Sequence, residues 1–200
     1  CGDRLQGIRE HWNLSGECGN GSFTVINHNA KIDDIPTPYD SLLMTYNEQL
    51  NGTYISYGYA GAAASANQAK MDAANYTVSK SAGLKRAAVK GKKELYKNSH
   101  WDMVDASTDD AKFVEKLDKK TLPDSLKNKT NEELKAIVNR KKEERSRIQG
   151  EMGKLAVDRE NYIAAEKAKK VTGNTDATLE SEIEKIIRDQ AKRFNMIITQ

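Results

Sequence analysis

The sequence predicts a mainly α-helical chain with a small α/β part at its start. Three observations predict it. Charged segments with thin apolar stripes at helical spacing fill residues 60–175, one short run (Ser22–Asn27) is strand-like, and 30% of the 200 residues are charged against 38% hydrophobic. That apolar fraction lies below the roughly 45–50% of ordinary globular domains, so only a modest core is expected. At roughly 100–200 residues per domain, the length fits one domain and part of another. No apolar run approaches the ~20 residues of a membrane-spanning helix.

The elements follow in order. Leu5, Ile8 and Trp12 predict a helix from Asp3 to about Ser15, with Asp3 as its N-cap and Gly16 and Gly19-Asn20-Gly21 as its stop. Cys1 and Cys18 flank it. The ends of such a helix lie ~18 Å apart, whereas a disulfide needs Cα atoms within ~7 Å, so a bridge between the two cysteines is disfavoured. Cys1 itself reads either as the lipidated first residue of a bacterial lipoprotein or as a point within a longer chain. Ser22-Phe23-Thr24-Val25-Ile26-Asn27 is rich in β-branched and aromatic residues and predicts a buried strand.

Ile35-Pro36-Thr37-Pro38 is an extended connector, because each proline disfavours helix at the residue before it. A helix is predicted from about Tyr39 to Leu50, with Leu42, Leu43, Tyr46 and Leu50 along it. A lone strand leaves both backbone edges unpaired. Its partners must lie outside this sequence, or come from Tyr54–Tyr57 and Asn195–Thr199; the first alternative is preferred.

Ala60–Ser81 predicts an alanine-rich helix, and Ala82–Lys97 a basic one. Trp101, Met103 and Val104 read as an apolar anchor onto a neighbouring helix rather than a ligand site. After a polar connector, Thr130-Asn131-Glu132-Glu133 is a capping box that opens a long helix to about Lys170. Its apolar stripe (Leu134, Ile137, Val138, Ile148, Met152, Leu155, Ile163) is thin and is broken at Lys141, Lys142 and Arg145. This predicts one arm of a helical hairpin or short coiled coil. A second amphipathic helix is predicted from Thr178 to Phe194, and Met196–Thr199 is a β-prone run expected to pair with a sheet edge.

Charge is uneven. Residues 1–60 carry 3 basic and 7 acidic side chains, residues 61–100 carry 8 and 2, and residues 101–200 carry 21 and 20. The net +3 falls short of a dedicated nucleic-acid binder. Lys85, Arg86, Lys90, Lys92, Lys93 and Lys97 are the candidates for contact with an anionic surface. Their charges point all around a helix, so a solvated face is the preferred reading.

The sequence carries none of the common catalytic signatures. There is no H-E-x-x-H, C-x-x-C, G-x-S-x-G or P-loop, and His11, His28 and His100 are widely separated. Cys18 has no neighbouring cation that would activate its thiolate. Five Asn-x-Ser/Thr sequons occur, at Asn13, Asn20, Asn51, Asn75 and Asn128.

One set of motifs carries a resemblance: Cys1-Gly2-Asp3, Gly7-Ile8, Trp12, Gly21–Asn27, Ile35–Asp40, Leu50–Gly58 and Trp101–Asp105. In this order they resemble the C-terminal part of bacterial von Willebrand factor type A (VWA) domain proteins. The resemblance implies that Ser22–Asn27 is the last strand of a doubly wound VWA-type sheet, followed by a charged helical extension. It implies three parts: residues 1–58 as the end of the α/β domain, 59–128 as a helical segment and connector, and 129–200 as the long helix, turn, second helix and terminal strand. Metal-binding VWA domains use Asp-x-Ser-x-Ser, which does not occur here. No cofactor is expected in this chain, and a divalent metal only through VWA residues absent from it. In a bacterial protein the sequons are coincidental.

The expected function is therefore a non-enzymatic protein-binding or scaffold protein of the bacterial cell envelope, periplasmic, surface-exposed or secreted. Its partner would be a protein, with self-association through the helices as a further expectation, and not nucleic acid. The alternative is a basic module over Lys80–Lys97 that binds nucleic acid or an acidic envelope surface.

Overall fold

A computed structural model describes residues 3–25, 34–169 and 179–198. The chain divides into two units, a smaller one from residues 1–33 with 170–200 and a larger one spanning residues 34–169. Positions 58 and 128, where the sequence suggested divisions, both fall inside the larger unit.

In the smaller unit the single helix expected from Asp3 to about Ser15 is two short ones, α1 (Arg4–Arg9) and α2 (Trp12–Cys18). Asp3 caps α1, accepting a hydrogen bond from the Leu5 amide at 3.1 Å. The break falls at His11, whose backbone is left-handed at φ 62°. Cys18 is an exposed free thiol, and Cys1 lies outside the described residues.

The expected VWA-type sheet is overturned. No β-sheet forms among the described residues, and Ser22–Val25 is irregular rather than a strand. Ile26 and Asn27 lie outside the described residues. The physical reason is that a ladder needs a second strand, and none is available there to pair with the Ser22–Val25 backbone. These residues are held by side chains instead. A β-carbon on Gly7 would sit only 2.7 Å from Cζ of Phe23, so the ring packs directly on that glycine. Thr24 Oγ1 donates to Glu182 of α10 (Leu179–Arg193) at 2.6 Å. Arg193 Nη1 donates to the Asn20 carbonyl at 2.8 Å. Met196–Ile198 is irregular and exposed, with no strand pairing, and Thr199 lies outside the described residues.

The larger unit is built of helices joined by turns and irregular segments, with one isolated β-bridge. α3 (Asp40–Asn51) starts where Thr37 closes a turn on Asp40: the Thr37 hydroxyl and amide donate to its carboxylate at 2.6 and 3.1 Å. α4 (Gly61–Val78) and α5 (Lys80–Lys90) meet at Ser79, whose hydroxyl accepts from the Ala82 amide and caps α5. Gly83 on α5 lies against Tyr76 of α4, where a β-carbon would come within 2.9 Å of Tyr76 Cα. The basic helix thus stops at Lys90, seven residues earlier than the sequence suggested, and Lys92–Lys97 lies beyond it.

The remaining elements are α6 (Met103–Asp109), α7 (Phe113–Lys116), a 3-10 turn (Lys119–Thr121), α8 (Asp124–Lys127) and the 39-residue α9 (Asn131–Lys169). The capping box forms as read: the Thr130 amide donates to Glu133 at 2.8 Å, and the Glu133 amide to the Thr130 hydroxyl at 3.1 Å. Tyr54–Tyr57 joins no sheet. Ser56 bridges Asp102, with the Tyr57 amide donating to the Trp101 carbonyl and the Met103 amide to the Ile55 carbonyl.

α9 is not one arm of a free hairpin. It runs through two apolar clusters and is packed by α3, α5, α6 and α7. Leu134 and Val138 join Ile55, Met103, Val104, Val114 and Leu122 in the first. Ile148 and Met152 join Leu43, Leu50, Leu84 and Ala87 in the second. Each fully buried side chain of this size contributes about 1.5–3 kcal/mol. A thin stripe suffices because the neighbouring helices supply the rest of each cluster. Trp101, Met103 and Val104 are buried, as the anchor reading required. No described helix is long and apolar enough to cross a membrane.

Candidate functional site

Between the two apolar clusters the α9 stripe is interrupted by Arg145, and the interruption is structural. Its side chain is only 6% exposed. Nη1 donates to both Asp102 and Asp105 at 2.7 Å, Nε to the Thr53 hydroxyl at 2.9 Å, and Nη2 to the Thr53 carbonyl at 3.0 Å. The guanidinium carbon lies 4.4 Å from the centre of the Tyr54 ring, a cation–π geometry. Asp102 has a second task, accepting from the amides of Ile55 at 2.8 Å and Asp105 at 3.0 Å. The second of these makes it the N-cap of α6. One buried cation thereby ties α9 to the Thr53–Ile55 segment and to the start of α6.

The electrostatics follow from burial. Burial works against the charge on Arg145, but Asp102 and Asp105 outweigh it and hold the guanidinium firmly protonated. Asp105 is pushed above the usual carboxylate range by burial, with Arg145 only partly offsetting it. Burial also raises the Tyr54 phenol.

Arg145 and Asp105 form part of the wall of a cleft of about 400 Å³. α9 contributes Lys142, Ser146 and Gln149, the segment after α5 contributes Lys93, Tyr96 and Lys97, and α6 contributes Val104 and Asp109. Its carboxylates on α6 are engaged: Asp109 accepts from Lys97 at 3.1 Å and from the Ser99 hydroxyl, and Asp105 from Arg145 and the Asn98 amide. Lys142, Ser146 and Gln149 make no hydrogen bond or ion pair with any described side chain.

The six basic candidates do not share one surface. Lys90 is fully buried, donating to Asn51 at 2.6 Å and Asp72 at 2.5 Å. Arg86 donates to the same Asp72 carboxylate at 2.7 Å and to Tyr96 at 3.2 Å. Lys93 and Lys97 line the cleft, while Lys85 and Lys92 are exposed outside it. Sequence reading passed over Arg145, Asp102 and Asp105 as site residues. The available signal was the charge that breaks an otherwise apolar stripe on α9.

The smaller unit presents a different surface. Of 19 exposed large hydrophobic side chains, ten belong to its described residues, including Leu5, Trp12, Ile183, Ile187, Phe194 and Ile197. Ala191 is its single buried hydrophobic residue among those described. A groove of about 710 Å³ runs along Ser22–Val25, lined also by Gly7, Trp12 and Gly16. The Ser22–Val25 backbone has no hydrogen-bond partner among the described residues. No three His, Cys, Asp or Glu side chains come together as a metal-holding group among the described residues. No family model, curated protein or solved structure matches the chain.

Proposed function

We propose that the protein is a non-enzymatic protein-binding or scaffold component of the bacterial cell envelope. The observation that carries this reading is the apolar surface of the smaller unit. Ten large hydrophobic side chains are exposed among its described residues against one buried, and exposed apolar surface beyond scattered single residues marks interaction sites. Ser22–Val25 adds unpaired backbone groups beside an exposed Trp12, an arrangement suited to a partner that lays an extended, apolar segment along the groove. The 39-residue α9, ~58 Å long at 1.5 Å per residue, gives the larger unit a rigid spine suited to a scaffold. The motif resemblance to bacterial VWA proteins supports the envelope placement, without the sheet.

The test is photo-crosslinking in intact cells from a benzophenone side chain at position 12 or 187, with position 154 on the larger unit as control. The reading expects one discrete protein adduct from positions 12 and 187, none from 154, and its loss on Ile183→Asp. Equal adducts from all three positions, or an adduct from 187 that survives Ile183→Asp, would overturn it.

A further inference from the structure

We infer that the cleft between α6, α9 and the segment after α5 is a binding site for a small organic anion with a short apolar body. A volume of about 400 Å³ is within the range of small-ligand sites. The sign of the ligand follows from which polar groups are already used. The carboxylates on α6 have partners: Asp105 is held by Arg145 and the Asn98 amide, and Asp109 by Lys97 and Ser99. The third carboxylate of the cleft, Glu94 on the segment after α5, is largely solvated and lies 3.9 Å from Lys93.

The charged group left without a partner among the described side chains is a cation, Lys142. Lys142, Ser146 and Gln149 follow one another at i, i+4 and i+7 on α9, so they occupy one helix face. They offer an ammonium, a hydroxyl and a carboxamide, none with a partner among the described side chains. Arg145 shares that face, but its donors go to Thr53, Asp102 and Asp105, which makes it a positioning residue rather than a ligand contact. Val104 and Tyr54, with the aliphatic stems of Lys93 and Lys97, supply the apolar part of the wall. Inorganic phosphate would leave that apolar wall unfilled, and a neutral aromatic would leave Lys142 unmatched.

Phenyl phosphate is the probe, titrated into the 200-residue chain while backbone amide resonances are followed. Inorganic phosphate and benzyl alcohol serve as comparison ligands. Saturable shifts are expected for residues 93–97 and 142–149. Lys142→Gln should weaken binding about 10-fold or more, the range for loss of one hydrogen bond to a charged group. Ser146→Tyr should abolish binding by filling the cleft. Both side chains are exposed, so the fold is retained. Absence of shifts at these residues up to about 10 mM ligand would overturn the site, since that bounds the affinity below the millimolar range. An unchanged affinity in Lys142→Gln would also overturn it. Benzyl alcohol or inorganic phosphate binding as tightly as phenyl phosphate would overturn the stated ligand class.

Discussion

Two of the buried cations of the larger unit, Arg145 and Lys90, hold it together in different ways, while a third, Arg159, pairs with Asp40 at 3.0 Å. Arg145 spreads a planar fork over Thr53, Asp102 and Asp105, and it is the one cation that both carboxylates share, their other hydrogen bonds coming from backbone amides. Lys90 is a point charge set between Asn51 and Asp72, and Asp72 keeps a second cation in Arg86. The difference teaches that depth does not rank importance. Lys90 is the more deeply buried of the two, yet its network is redundant, whereas that of Arg145 has a single centre.

The sharpest way to break this comparison is to remove each cation. Arg145→Met should cost about 3–5 kcal/mol, because Asp102 is left buried and unpaired. Urea unfolding measures it. Arg145→Lys should recover little of that loss, since an ammonium cannot reproduce the fork. Lys90→Met should cost less, about 1–3 kcal/mol, with Arg86 and Asn51 still satisfying Asp72. An equal or larger loss for Lys90→Met would reverse the ranking.

Gly83→Ala sharpens the comparison by acting on one network only. Its β-carbon would press on Tyr76 Cα and part α4, which carries Asp72, from α5, which carries Arg86 and Lys90. A cost of about 1–3 kcal/mol is expected for such overpacking. Double-mutant cycles should show coupling between Gly83→Ala and Lys90→Met, and near-additivity between Gly83→Ala and Arg145→Met.

The smallest effects are those of pH, and they have opposite signs in the two networks. Burial acts against ionised Asp72, but hydrogen bonds from Lys90, Asn51 and Arg86 prevail and hold it below its ordinary 3.8. Its contribution is present above pH 3.8 and is lost as pH falls through the folded value. Burial holds Asp105 above 3.8, so the folded state binds the proton more tightly and stability declines as pH rises through that window. Melting temperatures followed from about pH 2.5 to 7 should therefore fall less steeply on acidification in Asp72→Asn and more steeply in Asp105→Asn. Parallel changes in the two variants would contradict the assignment.

The same division separates what the sequence showed from what it hid. The capping box at Thr130 and Glu133, the turn at Thr37-Pro38 and the glycine after Asn51 placed the starts of α9 and α3 and the end of α3 to within a residue or so. These signals are local: a cap satisfies amides within its own turn, and a proline restricts its immediate neighbour. The break at His11 was less legible, because Leu5, Ile8 and Trp12 fit a continuous helix and nothing in their spacing demands a left-handed residue between them.

Of the candidate site, the lysines were legible as charge but not as geometry. Arg86 and Lys90 read like their exposed neighbours, because burial depends on Asp72, 14 and 18 residues away and on another helix. Ser22–Val25 shows the converse error. Strand propensity is a property of the residues, but a strand exists only when a second one pairs with it.

By itself, then, the sequence determined where α3 and α9 begin, the caps at Asp3 and Thr130 and the apolar character of Trp101, Met103 and Val104, since each rests on residues a few positions apart. Only the tertiary structure decided that the charge breaking the α9 stripe becomes the centre of the unit. Its partners Thr53 and Asp102 lie 92 and 43 residues away, and no local spacing encodes a contact that folding alone brings together.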